Sequence, residues 1–272
     1  MQDHGNTLLV TTPNALADEL AKALRAQGRA YKVFAIGPYP EGTHPPGSVT
    51  VTTSSYRSFL RFVDNSDIGD IVFAASLYAS PQLWLEALLD WRILGPLLRL
   101  EHRPSTTHLL EAICEDLSSR NVGITHPHYI GGDAFRLTGA DQFDAGRADL
   151  TNRIRLDKLK RMRESAITLR ESRILGITHD DELEEIAVEW LNTSWLLRCL
   201  GWKDLSRFQR VILYKTGGDR TLISYPVIGT TTLRDCRRYG VTDILLDVDG
   251  VVQGKQEVIR MAREAGISIR TI

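Results

Sequence analysis

At 272 residues the chain is long enough for two domains of ordinary size, each with its own core. Its 43% hydrophobic and 25% charged residues are those of a soluble globular protein, and a formal net charge of -1 gives no ground for nucleic acid or an anionic membrane as the main partner. The three cysteines, Cys114, Cys199 and Cys236, are scattered and odd in number. That argues against a disulfide framework or a cysteine metal site, and it points to a reducing cytoplasm.

The opening MQDHGNTLLV has no basic stretch followed by an apolar run, so no secretory signal is expected. A spanning helix needs about 18 to 20 apolar residues in a row. The nearest approach, Leu83 to Leu100, is interrupted by Glu86, Asp90, Arg92 and Arg99 and broken by Gly95-Pro96. It reads as two amphipathic helical pieces.

TLLV (7–10) reads as a buried strand. TTPNALADELAKALRAQG follows as a helix, with Thr12 as N-cap, Pro13 at its first position and Gly28 at its end. AYKVFAIG is a second strand, the Pro- and Gly-rich GPYPEGTHPPGS a loop, and VTVTT a third short strand. Tyr56, Phe59, Leu60 and Val63 have helical spacing, and DIVFAAS (70–76) reads as a buried strand. The Leu83 to Leu100 region, a helix over 106–120 and a strand-like NVGITHPHYI follow. Strands alternating with helices predict a parallel, Rossmann-like sheet.

From Gly131 to about Asn152 the chain is Gly- and Asp-rich with little periodicity, which marks a linker. The expected organisation is an N-terminal domain over 1–132, a linker over 133–152 and a C-terminal domain over 153–272. In the last of these, RIRLDKLKRMRESAITLRESRIL reads as a charged helix. DDELEEIAVEWLNTSWLLRCLGW reads as another, opened by Asp180 or Asp181. FQRVILYKTG is a strand, and the closing block is a loop, a helix, a buried strand, a turn and a second helix.

That closing block, SYPVIGTTTLRDCRRYGVTDILLDVDGVVQGKQEVIRMAREAGISI, resembles the C-terminal domain of the LpxI-type UDP-2,3-diacylglucosamine pyrophosphatases of lipid A synthesis. YPVIGTTTLRDCRRYGVTDILL is similar to the family's D-x-P-x-x-G-x-x-T segment with the helix and strand after it. The opening strand, helix and strand, the DIVFAAS strand, and the helix and strand before His128 also follow the family's order.

The resemblance implies two α/β domains, the second smaller, with a cleft between them. It also implies hydrolysis of UDP-2,3-diacylglucosamine to UMP and 2,3-diacylglucosamine 1-phosphate. The departures fall on polar positions. The family's central Asp, two residues before the Pro, is Ser224 here. Its Gly-rich first loop is Thr11, Thr12, Pro13 and Asn14. Its G-D-(D/N) is Ser105, Thr106 and Thr107. Its E-G-T-D acids give way to Asn192 and Ser194 around a retained Thr193. Pyrophosphate hydrolysis near neutral pH calls for a carboxylate-held divalent cation or a carboxylate base, and Ser or Asn supplies neither.

Ligand-binding positions implied by this correspondence are Thr11, Thr12, Asn14, Ser105, Thr106, Thr107, Thr193, Ser194 and Ser224. The Thr11 to Asn14 turn is also a candidate phosphate site by its position, at a strand end before a helix N-terminus, with an ordinary N-cap as the plainer reading. An active enzyme would have to rebuild its chemistry on Glu189, Asp247 or Asp249, and would use Mg or Mn. Otherwise no cofactor is expected, and no metal ligand set is identified.

ILLDVDGVV resembles the first motif of haloacid-dehalogenase-type phosphatases, but too little chain follows Asp249 to build their site. A capped turn is expected instead. His126 and His128, two apart on a predicted strand, would share a face, as weak metal ligands or as structural histidines. His102, Arg103 and His108 flank a helix start, as an anion site or a solvated loop. Trp84, Trp91, Trp190, Trp195 and Trp202 are read as core or interface residues.

Together these features predict a diverged, cytoplasmic LpxI-like protein that binds a nucleotide-linked or lipid-linked sugar with weak or no hydrolysis. The alternatives are an active pyrophosphatase and a structural or regulatory oligomeric module. A homodimer, peripheral membrane contact and no nucleic-acid partner complete the expectation.

Overall fold

The computed structural model describes residues 6–11, 15–36, 48–51, 56–74, 106–145, 172–189, 192–216 and 225–272. It divides into two units, 1–131 and 132–272, each with its own sheet.

In the first unit, β1 (Asn6–Thr11), β2 (Tyr31–Ile36), β3 (Ser48–Val51), β4 (Ile68–Ala74) and β5 (Gly123–Ile124) form one sheet in the order β3-β2-β1-β4-β5. Every pairing is parallel. This is the predicted Rossmann-like winding, and the strand order reverses between β1 and β4. Helix α1 (Ala15–Ala26) buries Leu16, Ala17, Leu20, Ala21 and Leu24, a stripe at helical spacing that faces the core. It ends where Gly28 takes φ +66, a left-handed conformation that glycine adopts without steric cost. Helices α2 (Tyr56–Asp64), α3 (Thr106–Ser119) and α4 (Pro127–Gly131) complete the described part of the unit.

In the second unit, β6 (Arg173–Thr178), β7 (Leu183–Val188), β8 (Phe208–Lys215), β10 (Asp243–Leu246) and β12 (Ser268–Thr271) form a mixed sheet in the order β12-β10-β8-β6-β7. The pairs among β8, β10 and β12 are parallel, and β6 runs antiparallel to both neighbours. A separate parallel pair joins β9 (Val227–Ile228) to β11 (Val251–Val252). The helices are α5 (Thr193–Cys199), α6 (Thr230–Arg238) and α7 (Lys255–Ala265).

Alternation along β8 and β10 sorts the core into two layers. Val211, Leu213, Ile244 and Leu246 pack with Leu196 and Leu197 of α5, Leu233 and Cys236 of α6, and Val258 and Ala262 of α7. Ile212, Tyr214 and Leu245 pack with Leu175 and Ile177 on the other face. Each fully buried Leu or Ile contributes about 1.5 to 3 kcal/mol.

Four expectations are corrected here. The Asp-rich stretch from 180 does not open a helix, because Leu183–Val188 is a strand. A tight turn with Asp181 at φ 61 joins β6 to β7, and Arg173 pairs with Glu185 across the two strands at 2.7 Å. The helix expected to run to Leu175 gives way to β6 from Arg173 onward. The expected linker is packed structure as far as residue 145. Phe135 and Leu137 are buried, Val252 N donates to Phe135 O at 2.9 Å, and Phe143 and Ile269 exchange backbone hydrogen bonds. Lys255 clamps this stretch through the carbonyls of Asp133 and Arg136 and an ion pair to Asp141 at 2.5 Å. With the boundary at Gly131, the second unit is the longer of the two, not the smaller. Residues 146–152 lie outside the described residues.

Candidate functional site

Open parallel sheets take ligands at the carboxyl ends of their strands. In the second unit that edge is built from Lys215 at the end of β8, Thr216 after it, Asp247 after β10, and the chain entering α6. Glu189 follows β7, directly ahead of α5.

Lys215 is buried, and its Nζ donates a 2.6 Å hydrogen bond to the carbonyl of Val227. Continuing the alternation of β8 puts its side chain on the layer of Val211 and Leu213, toward Cys236 of α6. Burial holds the ammonium below the usual lysine range; the charges of Glu189 and Cys236 act the other way. The same burial pushes the Cys236 thiol up to about 12.

Asn192 caps α5, with Trp195 N donating to its Oδ1 at 2.9 Å. Thr193 Oγ1 donates to Glu189 Oε2 at 3.1 Å, and Ser194 Oγ donates to Asp235 Oδ2 at 2.7 Å, tying α5 to α6. Thr193 and Ser194 therefore lie in a polar seam with two carboxylates, in the unit that carries Lys215.

Asp247 belongs to the other layer. It is buried, and Thr216 Oγ1 donates to its Oδ2 at 2.5 Å. Gly250 N closes a turn onto Asp247 O at 2.7 Å, and Asp249 is exposed in that turn. The DVDG segment is thus the capped turn expected of it. Among the described residues no group of three His, Cys, Asp or Glu can hold a metal ion. Glu189, Asp247 and Asp249 do not converge. Glu189 acts on Lys215, Asp247 lies on the opposite layer, and Asp249 faces solvent. These residues do not fit a carboxylate-held Mg or Mn, and no catalytic step is derived through one.

In the first unit Thr11 is buried at the carboxyl end of β1, beside the strand-order reversal. Thr12, Asn14, Ser105 and Ser224 lie outside the described residues, as do Trp84, Trp91, Trp190, His102 and Arg103. Thr106 and Thr107 open α3. His126 and His128 do not share a strand face. His128 sits in α4, its backbone N donates to His126 Nδ1 at 3.2 Å, and the rings meet edge to face at 4.4 Å. Trp202, expected in a core or interface, is 84% exposed, while Trp195 is half-buried. Lys215 was not anticipated from the sequence. Its signal was a lysine ending a long apolar strand, in phase with Val211 and Leu213.

No protein-family model and no curated protein matches this chain. Among solved structures, CobK precorrin-6A reductase is similar over 98% of this chain and 87% of its own, at 11% identity and a TM-score of 0.32. A likeness that slight carries no argument about ligand or reaction. The fold assignment rests on strand order and register. Among the described residues, no helix is long and apolar enough to cross a membrane.

Proposed function

We propose that this chain is a diverged LpxI-like protein whose C-terminal unit binds a nucleotide-linked or lipid-linked sugar, with weak or no hydrolysis. The observation that carries the reading is Lys215, a buried ammonium at the carboxyl edge of the parallel strands. Burying a cation is costly unless charge or hydrogen bonds compensate it. One backbone carbonyl takes one of its three donors. Glu189 offsets part of that cost, and a phosphate-bearing ligand would add counter-charge and acceptors for the remaining donors. On that layer Glu189 and Asp235 are engaged with Thr193 and Ser194, which suits a binding seam better than a cation cage.

The test is to give the purified protein UDP-2,3-diacylglucosamine with Mg or Mn, and to follow both thermal stability and UMP release. The expected result is stabilisation by ligand without turnover, with the stabilisation lost in Lys215→Met. Metal-dependent UMP release at ordinary enzyme rates would overturn the reading. Neither stabilisation nor release, from folded protein, would leave the oligomeric-module alternative in its place.

A further inference from the structure

The first unit contains a cavity of about 730 Å³ at the amino-terminal edge of its sheet, opposite the edge where Rossmann-like sheets take nucleotides. Thr7, Gly28, Arg29, Asp70, Thr125 and Tyr129 are among its lining residues. The volume is that of a small-molecule site.

Its floor is an ordered polar network. Arg29 Nη2 donates to Thr7 Oγ1 at 2.9 Å and to Asp70 Oδ2 at 2.8 Å, and Thr125 Oγ1 donates to the same carboxylate oxygen at 3.2 Å. Neighbouring strands enforce this arrangement, since Thr7 and Asp70 are register partners on β1 and β4. Thr125 is held by its backbone N–H, which donates to Ile71 O at 2.8 Å. A guanidinium has five N–H donors. Arg29 spends only those on Nη2, so Nε and Nη1 have no partner among the described residues. Fixing the guanidinium in advance lowers the entropic cost of using those donors on a ligand.

Tyr129 adds the second half of a site. It is 77% exposed and lines the cavity, as Ile124 does. An exposed aromatic ring lining the same cavity as a held guanidinium offers a surface on which a flat ring stacks while its oxyanion meets the arginine. Asp70 is already paired with Arg29, and among the described residues no other charged side chain lines the cavity.

We propose that this cavity is a binding site for a small aromatic molecule bearing a phosphate or carboxylate. The oxyanion is held by Arg29 and the ring by Tyr129. The proposal concerns a different unit from Lys215 and does not depend on the reading given for that residue.

The experiment is titration calorimetry of the full chain with AMP and with benzoate, which separate a phosphate from a carboxylate, and with adenosine and inorganic phosphate as half-ligands. Saturable binding of AMP or benzoate is expected, tighter than that of either half-ligand. It should weaken about tenfold in Arg29→Gln, which removes a charge-assisted hydrogen bond. Tyr129→Ala is the second variant, because a side chain so exposed is lost without disturbing the fold. It should weaken binding severalfold. Lys215→Met should leave binding unchanged. No saturable binding of either probe, or binding that Tyr129→Ala does not weaken, overturns the proposal.

Discussion

The Lys215 ammonium on β8 is buried against the carbonyl of Val227 on β9, at 2.6 Å. This bond holds the short β9 to the main sheet and leaves a cation in a core lined by Leu213, Leu233 and Cys236.

Replacing Lys215 with Met keeps an unbranched side chain one atom shorter and removes the buried charge. The variant should be more stable than the parent near neutral pH by about 1 kcal/mol, as when buried charges are exchanged for packed apolar groups. The pH dependence has a definite sign. The folded-state pKa of Lys215 lies below its unfolded value of 10.5, so between the two the unfolded chain binds more protons. The parent therefore gains stability relative to the variant as pH rises through the folded pKa toward 10.5, and the gap narrows. Urea unfolding of both proteins from pH 7 to 10.5 measures it. A gap that widens with pH would refute the assignment.

Arg210 and Asp243 form the most buried ion pair among the described residues, 3% and 0% exposed. Arg210 reaches the carboxylate through both Nε and Nη2, and Thr242 Oγ1 lies 2.6 Å from Oδ2. Removing one member strands the other in a buried strand interior. Asp243→Ala should cost about 3 to 5 kcal/mol, measured by urea unfolding. Replacing both residues with apolar ones should cost far less than the single change.

Gly176 lies in β6 under the Phe208 ring. A Cβ there would press into that ring and stand 2.8 Å from Ile186 Cδ1. Gly176→Ala should therefore destabilise the second unit by about 1 to 3 kcal/mol through overpacking. Gly139, where a Cβ meets nothing within 4 Å, is the matched control, and Gly139→Ala should change thermal stability little.

The first unit was largely legible because its signals agree with one another. Leu16, Leu20 and Leu24 have helical period, Gly28 ends the helix, and the strands are short apolar runs. The hairpin of β6 and β7 was not legible. LEEIAV follows two aspartates and is rich in helix-forming residues, so local propensity favours a helix. Pairing with β6, fixed by the Asp181 turn and the Arg173–Glu185 contact, overrides it. The two-residue strands β9 and β11 carry no periodicity to read. At the candidate site, Thr11 was expected at a strand end and lies there, whereas Glu189 and Thr193 were expected inside one long helix that the structure divides into a strand, a loop and a short helix. The network of Arg29, Asp70 and Thr125 was out of reach, because it joins residues far apart in the chain that only the register of β1, β4 and β5 brings together.

Cys236 packs in the core near Lys215, and burial pushes its thiol up to about 12, against an ordinary value of 9.0. Since the thiolate is the nucleophile, Cys236 should resist alkylation in the folded protein, while the half-buried Cys114 and Cys199 react first. Mass spectrometry after brief iodoacetamide treatment at pH 8 should find label on those two, and on Cys236 only once urea has unfolded the chain. The same shift has a stability consequence. With the folded pKa above the unfolded one, the contribution of Cys236 is complete below pH 9 and declines as pH rises from there toward 12. Cys236→Ala should lose that part of the alkaline destabilisation while paying for the cavity it leaves. Native labelling of Cys236 as fast as that of Cys199 would show that the α6 face against β8 opens readily, and the buried Lys215 would then be exposed with it.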